Sequence, residues 1–162
     1  DHRATVRCNT RAKFLKALKA SGKNFKIALT LDNTAANFEF FCQWVWAIAD
    51  GNKPIVIVNE EMGDACNTSG QLKGKAGMLY RGGRKYGLII LSTNQRIADI
   101  PKTIVSQSQF KYIHKQDLDI DVKRAAEMAA VRIEDIRALK ELECYYRIPG
   151  IAAKLIKTPY RK

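Results

Sequence analysis

Soft metal ligands are few in this 162-residue chain, and none is arranged to bind a metal. Cys8, Cys42, Cys66 and Cys144 are widely scattered, with no Cys-x-x-Cys pair and no histidine near enough to complete a zinc site; His2 and His114 are far apart and form no metal motif. The cysteines read as reduced, mostly buried thiols of a cytosolic type of compartment. No apolar run approaches the ~20 residues of a membrane span. The longest candidate, Phe38 to Ala49, is short and carries Glu39 and Gln43, so no transmembrane segment is expected. Internal repeats, low-complexity tracts, linkers and a signal-peptide core are also missing. The chain opens DHRATVRC without a methionine, which reads as the continuation of something longer.

Acid is the scarcer charge. Sixteen Asp and Glu stand against 28 Lys and Arg, a net +12, and the resulting field favours polyanions. Nucleic acid is therefore the leading partner class, with steeply salt-dependent binding, ahead of lysine serving only for solubility. At this length the chain is expected to form a single domain over residues 1–162.

Two stretches organise the rest. In KPIVIVNEEMGD, from Lys53 to Asp64, four β-branched residues (Ile55 to Val58) lead into Asn59, Glu60 and Glu61. This predicts a short strand buried on both faces that delivers acids at its C-terminal end, where open α/β sheets keep their chemistry. GLIILSTNQR, from Gly87 to Arg96, is a second such strand ending in Ser92, Thr93, Asn94, Gln95 and Arg96. If the two are parallel neighbours, their polar tips lie side by side.

Around them, Ala4 to Cys8 reads as a short strand and Thr10 as the cap of a helix ending at Gly22, basic on its outer face. Phe25 to Leu31 reads as a strand. From Ala35 to Asp50 the apolar residues trace one broad helical stripe widened by Phe40, Trp44 and Trp46, which are assigned to the core. Gly63 to Gly77, with Asn67, Thr68 and Ser69, reads as loop and then helix to about Gly82. Arg81, Arg84 and Lys85 follow, either as a phosphate contact or as a solvated helix cap. A short helix at Pro101, a strand over Phe110 to His114, helices over Asp117 to Ala130 and Ile133 to Leu139, and a hairpin turning at Pro149 and Gly150 complete the chain. The order predicts a three-layer, mostly parallel α/β sheet with helices on both faces and a C-terminal antiparallel hairpin.

KPIVIVNEEMGD resembles a Walker B strand. RGGRKYGLIILSTNQRIADIPKTIVSQSQF resembles the stretch that follows it in the FtsK/HerA group of P-loop ATPases, where a strand ends in Thr-x-Gln-Arg before a segment like Asp-Ile-Pro. That group includes DNA translocases, conjugation pumps and the genome-packaging ATPases of viruses; the zonula-occludens-toxin-like assembly proteins of filamentous phages are near relatives. The resemblance covers roughly Ile55 to Phe110. It implies ATP and Mg²⁺ as cofactors, DNA held non-specifically by its backbone, a homo-oligomeric ring, and a cytoplasmic or virion-associated location.

Carried over residue by residue, Glu60 matches the glutamate that polarises the attacking water. Asn59 falls where the family has the aspartate that holds Mg²⁺ through water, with the oxygen kept and the charge lost. Gln95 matches the glutamine that senses the terminal phosphate, assisted by Asn94. Arg84, ahead of Arg81 and Arg96, matches an arginine offered to a neighbouring subunit's nucleotide.

One element of the family is missing. The phosphate cradle Gly-x-x-x-x-Gly-Lys-Ser/Thr occurs nowhere; Ser21-Gly22-Lys23-Asn24 and Gly74-Lys75-Ala76 lack the first glycine and the hydroxyl. The expectation is that a preceding segment supplies the cradle and the central strand before it, and that this chain alone does not turn over ATP. The alternative is a catalytically inactive nucleic-acid-binding or assembly subunit derived from such an ATPase. A weaker third reading is a virion or membrane-associated assembly factor that binds protein rather than DNA, with the aromatic helix Phe38 to Ala49 as its docking face.

Overall fold

Thr10 and Thr34 each open a helix by the same local chemistry. The Thr10 hydroxyl accepts the backbone N–H of Lys13 (3.2 Å) and the Thr34 hydroxyl that of Asn37 (3.3 Å), satisfying donors that a helix start leaves unpaired. The computed structural model describes residues 4–22, 24–66 and 70–159. The expectations for His2, Lys23, Asn67, Thr68, Ser69 and the tail from Tyr160 lie outside those residues.

The elements run β1 (Val6–Cys8), α1 (Arg11–Ala20), β2 (Ile27–Leu29), α2 (Ala35–Ile48), β3 (Ile55–Asn59), α3 (Met62–Ala65), α4 (Gly74–Gly82), β4 (Leu88–Ser92), α5 (Lys102–Gln107), β5 (Lys111–His114), α6 (Asp119–Ala129), α7 (Ile133–Arg137), β6 (Glu143–Arg147) and β7 (Lys154–Lys157). Short 3-10 turns over Gly83–Tyr86 and Ile97–Asp99 flank β4. The strands pair in three groups: β1 with β2 in parallel, β3 with β4 in parallel, and β5-β6-β7 antiparallel. In the hairpin, Pro149 and Gly150 sit at the centre of a turn closed by the Ile151 N–H donating to Ile148 O (3.1 Å).

The central pair differs from expectation in one respect. Its register sets Ile55 beside Leu88, Ile57 beside Ile90 and Asn59 beside Ser92. This face packs on Cys42 and Val45 of α2 and on Ala76 and Leu79 of α4. The opposite face is not buried: Val56, Val58, Ile89 and Leu91 are 59, 57, 51 and 52% exposed. An unbroken β-branched run marks a strand but carries no alternation to say how many faces are covered.

The aromatic stripe of α2 is turned into its own chain. Phe14 of α1 lies 6.2 and 5.9 Å from Phe40 and Phe41, and Trp46 meets Tyr86 edge-on at 5.0 Å. Glu39, on the same helix, ties α2 to α4. Its carboxylate oxygens accept the N–H groups of Lys75 (2.5 Å) and Ala76 (2.9 Å) at the start of α4, a charge-assisted cap contributing on the order of 1–2 kcal/mol. A second cluster, Val122, Ala125, Ala126, Ala129, Ile136 and Leu139 with Ile113, anchors α6 and α7 to β5. Ile100 packs against both that cluster and the one around Met62, Leu72 and Ile104, so those two clusters meet at Ile100.

Candidate functional site

Because β3 and β4 run parallel in register, both chains leave the pair at the same end. Thr93 N–H donates to Asn59 O (2.9 Å) and Met62 N–H donates to Thr93 O (3.1 Å), which continues the ladder past the strands. Glu60, Glu61, Asn94 and Gln95 are thereby brought to one rim.

The residues on that rim are held very differently. Glu60 is exposed, and among the described residues no hydrogen bond or ion pair engages its carboxylate. Alternation along β3 puts it on the side of Val56 and Val58, the uncovered one. Glu61 adopts a left-handed backbone (φ 51°, ψ 65°), a conformation that costs a non-glycine residue about 1 kcal/mol or more. Its carbonyl accepts from the Asn33 amide (2.7 Å), and its carboxylate accepts the backbone N–H of Gln95 (3.3 Å). Glu61 therefore ties the two strand tips together and fixes the loop that carries the exposed Gln95 side chain.

Asn94 is a brace. Its side-chain oxygen accepts the Gly63 N–H (2.7 Å) and its amide donates to Arg96 O. Arg96 is held as well, with Nε 3.3 Å from the buried Asp121 and a second nitrogen 3.5 Å from Asp99; Asp121 also accepts the Ala98 N–H at 2.7 Å. Asn59 points to the helix side and is buried. Its amide donates to the Tyr80 hydroxyl (3.0 Å), which in turn lies 2.7 Å from Ser92 Oγ. Arg84 lies in the turn before β4, at the far end of the strands from Glu60 and exposed. Five strand residues at ~3.3 Å each separate the two ends by roughly 16 Å, so Arg84 does not reach this rim within one chain. Arg81 donates to Leu72 O (2.9 Å).

Glu61, Tyr80 and Asn33 are the contributors that sequence reasoning passed over. Glu61 stands in the same acidic triplet as Glu60, but nothing in its residue type announces a left-handed backbone. Tyr80 was legible only as a helix residue.

Burial pushes the Tyr80 hydroxyl up to about 12, against smaller opposing effects from its hydrogen bonds to Ser92 and Asn59. A raised folded-state value means the stabilisation is complete below about pH 10 and is lost as pH climbs to 12, a window of ~2–3 kcal/mol. Tyr80→Phe should therefore lose less stability between pH 10 and pH 12 than the parent, as read from urea midpoints. Equal losses in the two proteins would remove Tyr80 from that role. Burial also pushes the Cys66 thiol up to about 11 and raises that of Cys42, for which Glu39 adds to the effect. Neither is a thiolate near neutral pH.

Magnesium in a nucleotide site takes one or two carboxylates plus phosphate oxygens and keeps several waters. Glu60 supplies a free carboxylate at the rim. Asn59 supplies only a neutral amide whose nitrogen is already engaged, so the donor set fits a metal held largely by phosphate and water.

No protein-family model matches the sequence. Over 100 residues, 61% of this chain, it is 41% identical to Protein P9 of Pseudoalteromonas phage PM2 and covers 45% of that protein; the chain thus spans less than half the length of this relative. Among solved structures it is similar to the genome packaging NTPase B204 of Sulfolobus turreted icosahedral virus 2. In complex with AMPPCP that protein gives a TM-score of 0.75 at 11% identity, over 96% of this chain and 74% of the other. In complex with ATP-gammaS it gives 0.72 at 12% identity, over 99% and 85%. The DNA-packaging ATPase B204 of Sulfolobus Turreted Icosahedral Virus gives 0.69 at 14% identity, over 96% and 82%. The chain has the fold of viral genome-packaging NTPases.

Proposed function

We propose that this chain is the Walker B and sensor portion of an ATP-driven motor that packages a viral genome. The observation that carries this reading is the shared rim of β3 and β4, where a free carboxylate, Glu60, and an amide, Gln95, stand at one end of a fold shared with NTPases crystallised with ATP analogues. In this reading Glu60 takes the proton of the attacking water and Gln95 contacts the terminal phosphate. Glu61 holds the Gln95 loop at its distance, and bound Mg²⁺ neutralises charge on the phosphates. Arg84, away from its own chain's rim, serves the nucleotide of a neighbour in a ring of copies.

The phosphate cradle comes from a further strand and helix of the same protein. Parallel strands are stable with both faces covered, and here Val56, Val58, Ile89 and Leu91 are uncovered while, among the described residues, the three strand groups do not pair with one another. A β-α unit laid beside β4, with its helix over those four residues, fills both needs. ATP hydrolysis stimulated by double-stranded DNA, in the protein that includes this unit, tests the reading. Nucleotide binding without turnover would leave the inactive assembly subunit instead, the reading favoured by the neutral, engaged Asn59.

A further inference from the structure

The two strands that carry the rim also lead, downstream, into the walls of a second feature. After β3 and α3 the chain forms the loop 70–73; after β4 and its 3-10 turn it forms α5. Between them and α4 lies a cleft of about 540 Å³. Its floor is fixed by polar contacts. The Leu72 N–H donates to Thr103 Oγ1 (2.9 Å), Leu72 O accepts from Arg81 (2.9 Å), and the Lys102 N–H donates to Gly70 O (2.9 Å). Gly77 lets α4 pass this close beneath the loop, since a Cβ there would stand 2.2 Å from Leu72 O.

The charge of the cleft is one-sided. Lys73, Arg81 and Lys102 line it together with the neutral donors Gln71, Ser106 and Gln107, and no acid does. None of the three cations forms a salt bridge among the described residues. The Glu39 carboxylate, which lies against Gly74, is spent on the N–H groups of Lys75 and Ala76. Three cations lining one cleft, with no ion-pair partner among the described residues, repel one another and are relieved by a bound polyanion.

We propose that this cleft holds phosphate groups of a nucleic-acid backbone, gripped by Lys73, Arg81 and Lys102. The inference rests on the reading of the chain as a DNA-handling motor, and it gives that reading a contact surface. Point charges plus neutral side-chain donors, with no aromatic ring in the lining, suit phosphate oxygens and not bases. The position also makes sense of the fold. A shift at the β3 and β4 tips during a nucleotide cycle is passed directly to the two segments that grip the backbone.

The test is binding of a double-stranded oligonucleotide of arbitrary sequence by the full chain, followed by fluorescence anisotropy over a series of salt concentrations. Lys73→Ala/Lys102→Ala is compared with Lys16→Ala/Lys19→Ala, which removes the same charge from the exposed face of α1. All four lysines are exposed, and unchanged urea midpoints confirm that each variant folds. The cleft variant should bind roughly tenfold or more weakly at physiological salt, with the slope of log K against log salt flattened by about 0.9 per lost phosphate contact; the α1 variant should change far less. Equal weakening in the two variants, or none in the cleft variant, overturns the proposal. So does stoichiometric displacement of the oligonucleotide by inorganic triphosphate or by a poly-glutamate peptide that protects Lys73 and Lys102 from acetylation, since the occupant would then be a free polyphosphate or an acidic protein. ATP turnover is measured separately, in the protein that includes the cradle unit: cleft-dependent binding with no turnover there sinks the motor and keeps the cleft, while turnover there with normal binding by the cleft variant does the reverse.

Discussion

Glu60→Gln should lower DNA-stimulated ATP turnover by roughly 100- to 10,000-fold, the contribution typical of a positioned general base, while ATP binding changes by less than about threefold. The amide keeps the size and the oxygen of the carboxylate and loses only its capacity to take a proton. Glu61, its neighbour, is the control that makes the experiment decisive. The two acids differ in what holds them: Glu60 is unengaged among the described residues and continues the uncovered face of β3, whereas Glu61 is turned by its left-handed backbone to accept the Gln95 N–H. Glu61→Gln retains an oxygen for that N–H, so turnover should fall by no more than about tenfold, through misplacement of Gln95. A larger loss in Glu61→Gln than in Glu60→Gln would reverse the assignment, and equal, small losses in both would leave the inactive reading standing. The measurement is single-turnover hydrolysis beside equilibrium binding of a fluorescent ATP analogue.

The fold was largely legible in the sequence because its punctuation is strong. Thr10, Thr34 and Pro54 mark starts, Gly51 and Gly87 mark turns, and Ile55 to Val58 and Leu88 to Leu91 are hydrophobic runs too short for helices. The pairing of those two runs, conditional in the sequence, is what consecutive strands joined by a helical connection tend to do, and the structure shows it. The short helix Met62–Ala65 and the 3-10 turns on either side of β4 were not legible, since segments of three or four residues carry no period. The rim was legible in its residue types and not in its bonding. The sequence places Asn94, Gln95 and Arg96 in one run, yet Asn94 and Arg96 are consumed by Gly63 and Asp121 and only the Gln95 side chain is left outward. Asp121 is 25 positions away from Arg96, and no local pattern links a helix residue to a loop arginine over that distance. Asn59 likewise reads as a weakened metal ligand until Tyr80, one helix later, is seen to take its amide.

Leu91→Asp should cost about 3 kcal/mol or more in the protein that contains the proposed strand and helix, read as a lowered urea midpoint. Val56, Val58, Ile89 and Leu91 form two cross-strand pairs, Val56 with Ile89 and Val58 with Leu91, and each has half or more of its surface uncovered. Covering that remainder returns ~1 kcal/mol per side chain, on the order of 4 kcal/mol for the four, which is a large share of an ordinary domain's net stability. A carboxylate placed under the covering helix forfeits its own part of that gain and adds the cost of burying an unpaired charge. The same change at the exposed Gln107 of α5, which faces solvent in the cleft, should shift the midpoint by less than about 0.5 kcal/mol. If Leu91→Asp were as mild as Gln107→Asp, nothing would lie over the β3–β4 face. The cradle would then have to be sought on a second copy or a separate protein and not on a β-α unit of this one.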